Sequence, residues 1–180
     1  TGLSGYLHMK DCDFVGLGDD ALNIHSQAGE IESWNPETGE MIASRAGQGY
    51  SENSAWSRGQ GWAIYGFVLS YLHTKEQKYL SVAKKVADEF IKQTEKTGWI
   101  PKIDFSAPSD KEGVDTSAGV LPACGFIEIA KITGEEKYLT SAIKILKATV
   151  DKWCDFSFEN DGLLFGSSES YAGGWHKNII

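Results

Sequence analysis

His73-Thr74-Lys75-Glu76-Gln77-Lys78-Tyr79-Leu80 returns later in the chain as Ile132-Thr133-Gly134-Glu135-Glu136-Lys137-Tyr138-Leu139. Tyr79 and Tyr138 stand 59 positions apart (138 − 79), and at the same offset Gly66 meets Gly125 and Ala83 meets Ala142. A period of this length, with helical pattern on both sides, marks stacked supersecondary units. Each unit reads as a helical hairpin. Ala63–His73 is apolar with few charges, which suits a helix buried on most faces. Lys78–Thr94 is amphipathic, with Tyr79, Val82, Val86, Phe90 and Ile91 on one stripe and lysines on the other. The second unit repeats the pattern. Gly119–Lys131 is mostly apolar, and Lys137–Trp153 is amphipathic through Leu139, Ala142, Ile145, Leu146, Thr149 and Val150.

Loop chemistry separates the two units over Gly98–Gly113, which carries Pro101, Pro108 and Ser-Asp pairs. Ser57 and the run Asp115-Thr116-Ser117 offer helix N-caps at the two helix starts. An apolar helix paired with an amphipathic one fits a toroid with an inner and an outer ring of helices. Loops before the inner helices then form one rim, where Arg58 and Ser117 are equivalent. The expected packing superposes hairpins at roughly 57–95 and 115–153.

The chain has 180 residues, 41% hydrophobic and 23% charged, which is ordinary globular composition. A formal net charge of −8 excludes the basic footprint that non-specific nucleic-acid binding requires. It leaves room for an anionic sugar, because one placed Arg overrides a diffuse charge locally. No stretch reaches the roughly 18 apolar residues of a membrane span. Cys12, Cys124 and Cys154 are odd in number without CxxC spacing, so neither a disulfide framework nor a zinc knuckle is indicated. Cys124 lies in the apolar stretch Leu121–Ile129 and is expected to be a buried thiol. No His/Asp/Glu cluster has ligand spacing, so no metal and no cofactor is expected.

Chemistry concentrates before the first inner helix. Gly47-Gln48-Gly49-Tyr50-Ser51 precedes Trp56-Ser57-Arg58-Gly59-Gln60-Gly61-Trp62-Ala63-Ile64-Tyr65-Gly66-Phe67. A helix start with free backbone N–H groups, an Arg and a Trp is a natural cradle for an anionic, ring-shaped ligand. On the residues alone, Arg58 is equally a surface Arg packing its stem, Trp62 equally a core aromatic, and Asp115 an N-cap.

Together with Asn35-Pro36-Glu37-Thr38-Gly39-Glu40 and Asp115-Thr116-Ser117-Ala118, these stretches resemble the unsaturated glucuronyl hydrolases, glycoside hydrolase family 88, from about Ser33 to about Trp153. The resemblance implies an all-α, (α/α)6 toroid type, here a partial toroid of helical hairpins with a short non-helical N-terminal segment. Residues 1–30 are then an atypical N-terminal segment and 31–180 a partial (α/α)6 glycoside hydrolase domain. It implies enzymes that hydrate the double bond of a non-reducing-end unsaturated uronic acid. An Asp general acid protonates the vinyl ether, water adds, and the resulting hemiketal opens to release the next sugar. The matched substrate-binding positions are Gln48, Arg58 and Trp62. The family's catalytic Asp lies upstream of the Asn-Pro-Glu-Thr-Gly turn, where residues 1–30 show nothing similar, and Glu30 stands where the family has a His. The chain is therefore expected to lack the proton-transfer machinery and to be inactive alone. The alternative is a non-catalytic carbohydrate-binding or structural helical module. The implied partner is an unsaturated uronic-acid oligosaccharide, the implied compartment cytoplasmic or periplasmic, and open toroid edges imply self-association.

The start reads differently. Gly18-Asp19-Asp20 with short apolar alternation resembles one coil of a right-handed parallel β-helix, in which paired carboxylates divide acid and base roles. A lone coil cannot bury its faces, so Asp19 and Asp20 are read as solvated turn carboxylates.

Overall fold

The computed structural model describes residues 30–34, 41–45, 47–52, 54–108, 113–157, 159, 164–168 and 170–172. The N-terminal segment with Asp19 and Asp20, the Asn35–Glu40 turn and His176 lie outside the described residues. Four helices follow one antiparallel pair of strands: β1 Glu30–Trp34, β2 Met41–Arg45, α1 Ser57–Thr74, α2 Gln77–Lys96, α3 Ser117–Thr133 and α4 Glu136–Trp153. β1 pairs with β2 in the register Glu30↔Arg45, Ile31↔Ser44, Ser33↔Ala43 and Trp34↔Met41, with irregularities on either side of Ser33. This hairpin was not legible in the sequence, since two five-residue strands are too short for their period to stand out.

The helical hairpins are as expected, and the repeat extends to individual hydrogen bonds. α1 ends at Lys75 and α3 at Gly134, both left-handed, with φ of 61° and 73°. Their N–H groups return to the carbonyls of Tyr71 and Ala130. Thr74 and Thr133 donate their hydroxyls back to Ser70 and Ile129, and each hydroxyl oxygen accepts the N–H of the next helix's lead-in residue, Glu76 or Glu135, at 3.2 Å. The repeated sequence is thus a complete turn: a left-handed C-cap closes one helix and a threonine bracket starts the next.

α1 packs against α2 and α3, and α3 against α4. Ile64, Val68, Leu80, Ala83, Ala87, Phe90, Ala123, Phe126, Ile129, Tyr138, Ala142 and Ile145 form one buried cluster shared by all four helices. Small residues let the inner helices approach closely. A Cβ on Gly61 would stand 3.0 Å from Pro122 Cδ, and one on Gly125 would stand 2.9 Å from Ile64 Cγ2 and 3.3 Å from the Tyr65 backbone. The outer helices are tied where the start of α4 meets the middle of α2. Lys84 Nζ reaches Glu135 at 2.5 Å, and Asp88 accepts both Lys137 Nζ at 2.7 Å and the Tyr138 hydroxyl at 2.9 Å. Burial, and the hydrogen bond to Asp88, push the Tyr138 phenol above the usual tyrosine range.

Three expectations need correction. The buried stripe of α2 runs through Leu80, Ala83, Ala87, Phe90 and Thr94, leaving Val82 exposed; on α4 it runs through Tyr138, Ser141, Ala142, Ile145 and Thr149, leaving Leu139 and Val150 exposed. Reading the stripes from the large apolar residues missed Ala83 and Ala87 on α2 and Ser141 on α4, which share the packed face with Leu80, Phe90, Tyr138 and Ile145. Cys124 is exposed rather than buried, because α3 turns that side away from α1 and α4. Ser57 is not a cap: it is buried in α1 and donates its hydroxyl to the Ile103 carbonyl at 3.1 Å. No described helix is long and apolar enough to cross a membrane.

Lys75 occupies a backbone position that its repeat partner fills with glycine. The left-handed region costs a non-glycine residue roughly 1–2 kcal/mol, partly offset by the extra unfolded-state entropy of glycine. Lys75→Gly should therefore stabilise the chain by about 0.5–1 kcal/mol, and Gly134→Ala should destabilise it by about 1 kcal/mol. Urea unfolding followed by circular dichroism checks both signs.

Candidate functional site

The close approach of α1 and α3 brings their N-terminal ends together, and the chemistry gathers there. Arg58, in the first turn of α1, grips Asp115, just before α3. Its Nε donates to Oδ2 at 2.9 Å and its Nη2 to Oδ1 at 3.1 Å. Nη2 also donates to the Ser168 carbonyl. Asp115 is fully buried, and Oδ1 also accepts the Ser117 hydroxyl at 2.7 Å and the Ala118 N–H at 3.3 Å. One carboxylate thus caps α3 and holds the guanidinium of α1. Removing one partner of a buried pair costs roughly 3–5 kcal/mol, so this clasp carries structure as well as any ligand role. These bonds consume Nε and Nη2; among the described residues Nη1 makes none, which leaves that edge of the half-buried guanidinium for a ligand.

A second buried carboxylate, Asp104, organises the loop before α1. Oδ2 accepts the Tyr50 N–H at 3.0 Å and the Ser54 hydroxyl at 2.6 Å, and Oδ1 accepts the N–H groups of Ala55 at 3.1 Å and Ser106 at 2.8 Å. All four donors are neutral, so the charge is held by converging dipoles. The loop sits so close that a Cβ on Gly49 would fall 2.8 Å from Ser54 Oγ and 3.0 Å from Asp104 Oδ2. Trp56 lies beneath it, with its Nε1 buried and without a hydrogen-bond partner among the described residues.

A third element is the strap at residues 164–168 and 170–172. The Gly166 carbonyl accepts the Thr116 N–H at 3.1 Å, the Phe165 carbonyl accepts the Thr116 hydroxyl at 2.7 Å, the Ser168 carbonyl accepts Arg58, and the Tyr171 N–H donates to the Gln48 carbonyl at 2.8 Å. The strap therefore laces the starts of both inner helices to the Gln48 loop. The Tyr171 ring meets Tyr50 edge-on with centroids 5.0 Å apart. Gly166 adopts φ +74°, and a Cβ there would lie 2.5 Å from the Trp153 ring. Sequence reasoning assigned nothing to this tail; a glycine just past the amphipathic helix was the signal available.

Gln48, Arg58 and Trp62 belong to this one rim. Gln48 and Arg58 are joined through the strap. Trp62 lies one turn after Arg58 on the same face of α1, half-buried, with its ring edge-on to Trp56 at 5.1 Å. Asp115 takes the capping role expected of it and the Arg58 contact that was not. The described carboxylates here, Asp104 and Asp115, are both fully buried and saturated with donors.

No family model matches the chain. It is 26% identical over 183 residues to the unsaturated chondroitin disaccharide hydrolase of Streptococcus pneumoniae, covering 96% of this chain and 46% of that protein. It is 33% identical over 123 residues to the unsaturated glucuronyl hydrolase of Bacillus sp. strain GL1, covering 68% of this chain and 31% of that protein. The crystal structure of the Bacillus sp. GL1 unsaturated glucuronyl hydrolase superposes with a TM-score of 0.71 at 27% identity, over 80% of this chain and 41% of that one. A mutant Streptococcus agalactiae unsaturated glucuronyl hydrolase, complexed with dGlcA-GalNAc6S, gives 0.65 at 27% identity over 81% and 41%. The chain thus spans less than half the length of these relatives. By sequence and by fold, it belongs to the unsaturated glucuronyl hydrolases of glycoside hydrolase family 88.

Proposed function

We propose that the rim of α1 and α3 is part of the binding wall for a non-reducing-end unsaturated uronic acid, in a protein whose chemistry is hydration of that sugar's double bond. The convergence of Gln48, Arg58 and Trp62 on one rim, held by Asp104, Asp115 and the strap, carries this reading. The Nη1 edge of Arg58 supplies directed N–H donors, Gln48 an amide, and Trp62 an aromatic face. Because buried Asp115 offsets the guanidinium charge, Arg58 acts more by direction than by net field. The similarity to hydrolases supports this reading over a purely structural or carbohydrate-binding module. In the same reading residues 31–180 form the partial hydrolase domain and residues 1–30 stand apart from it.

A general acid must hold a proton and reach the substrate. Asp104 and Asp115 cannot reach it: both are fully buried, and the oxygens of each are taken up by four donors, those of Asp115 including the Arg58 guanidinium. With no residue matching the family's general acid, the 180 residues alone are expected to hydrolyse unsaturated uronic-acid disaccharides negligibly, since losing acid–base catalysis forfeits a factor of about 100 to 10,000. Loss of the ultraviolet absorbance of the conjugated double bond measures turnover; robust turnover would overturn the assignment of roles. Weak binding is expected, and Gln48→Ala should weaken it about tenfold, the worth of one charged-group hydrogen bond. Titration followed by ligand-observed NMR measures that change, and an unaltered affinity would remove Gln48 from the wall.

We also infer self-association through open edges of the toroid. Leu139, Ile143 and Val150 lie along one face of α4 and are 44%, 56% and 46% exposed. Contiguous exposed apolar surface of this kind drives association. Sedimentation velocity of the purified chain should show species larger than the monomer; a stable monomer unfolding cooperatively would count against this.

A further inference from the structure

Trp56 touches both the Gln48 loop and Trp62, yet the binding reading gives it no role. Its backbone is clamped on both sides by the segment that carries Asp104. The Phe105 N–H donates to the Ala55 carbonyl at 2.9 Å, and the Ser57 N–H donates to the Ile103 carbonyl at 3.0 Å. Trp56 itself pairs with Asp104 as an antiparallel bridge. The residue is only 5% exposed. On one side it lies against the Gln48 loop, where a Cβ on Gly49 would stand 3.3 Å from Trp56 Cβ. On another its ring occupies the space beside Gly59, where a Cβ would stand 2.9 Å from Trp56 Cε3 and 3.6 Å from Cζ3. The same ring meets Trp62 edge-on, with centroids 5.1 Å apart and planes at 86°.

Two local losses meet at this contact. The Trp56 Nε1–H is buried without a hydrogen-bond partner among the described residues, so it forgoes the bond that water would supply. Gly59, early in α1, gives up the helix propensity that an alanine would bring. A smaller apolar residue at 56 would remove both losses, so what the site uses is the full extent of the indole. We propose that Trp56 is a positioning residue of the rim. It fixes the plane of the Trp62 indole, and Gly59 is the space that lets it do so. The inference rests on the binding role proposed for the rim and adds what orients its aromatic member. Edge-to-face packing is a favoured geometry for aromatic pairs, and a side chain locked by its own packing can hold a second one in place. Trp56 is clamped and buried, whereas Trp62 is half-buried on the helix. Without the contact, Trp62 samples more rotamers and a ligand has to order it on binding.

Gly59→Ala tests this while favouring the helix, because alanine is the better helix former and its Cβ displaces the Trp56 ring. Single Trp→Phe variants assign the indole N–H signals of Trp62 and Trp99 in a nitrogen-labelled sample. The heteronuclear NOE of the Trp62 indole, which reports picosecond-to-nanosecond motion, should fall in Gly59→Ala. That of Trp99, packed against the core with Lys144 Nζ 4.5 Å from its ring centroid, should stay unchanged. Circular dichroism should show the same helix content. Affinity for an unsaturated chondroitin disaccharide, followed by ligand-observed NMR, should weaken about three- to tenfold, the effect of having to order one more side chain. Trp56→Leu should loosen Trp62 in the same way.

A merely structural role for Trp56 would leave the Trp62 signal of a folded chain as it is. A Trp62 indole as rigid in folded Gly59→Ala as in the wild type would therefore overturn the proposal, whether or not Trp56→Leu folds. So would an affinity that is unchanged while Trp62 is loosened. The mobility measurement needs no ligand. A wild type that binds no disaccharide overturns the binding wall itself, and the NOE still decides whether Trp56 orients Trp62.

Discussion

The structure depends on how closely α1 and α3 approach. Glycine at 61 admits the Pro122 ring, and glycine at 125 admits Ile64 and the Tyr65 backbone. A side chain at either position would push the helices apart. That separation would open the shared core around Phe126 and Ile129 and break the contact between the helix starts. Protein interiors are packed densely enough that such a displacement is felt throughout. The contact therefore fixes both the core beneath it and the rim above it.

The rim is built as a consequence. With the two helix starts adjacent, Arg58 of one repeat reaches Asp115 of the other, at positions where the repeat itself is broken. Offset by 59, Arg58 corresponds to Ser117, and Asp115 to Trp56. The two units share a scaffold but diverge where they carry chemistry. A guanidinium, a buried carboxylate and an indole replace whatever the symmetric arrangement would have held. Asp104 and the strap then stiffen the rim from either side. In the binding role proposed for it, a rim preorganised in this way spends less interaction energy on ordering itself.

The sequence by itself determined the helical hairpins and their boundaries, because the threonine, left-handed cap and lysine–tyrosine–leucine turn are local and are written twice. It also pointed to the rim, since Gln48, Arg58 and Trp62 lie in or next to glycine-rich lead-ins and Arg58 and Trp62 are one helical turn apart. Only the tertiary structure decided which faces are buried. The stripe of α2 passes through Leu80, Ala83, Ala87 and Phe90 rather than Val82, because the side of a helix that is buried is set by where its neighbours lie and not by which of its residues are largest. Only the tertiary structure joined Arg58 to Asp115 and brought Ser168 and Tyr171 into the site. Those partners lie more than 50 residues away, and no local pattern encodes a pairing that exists only once the inner helices have met.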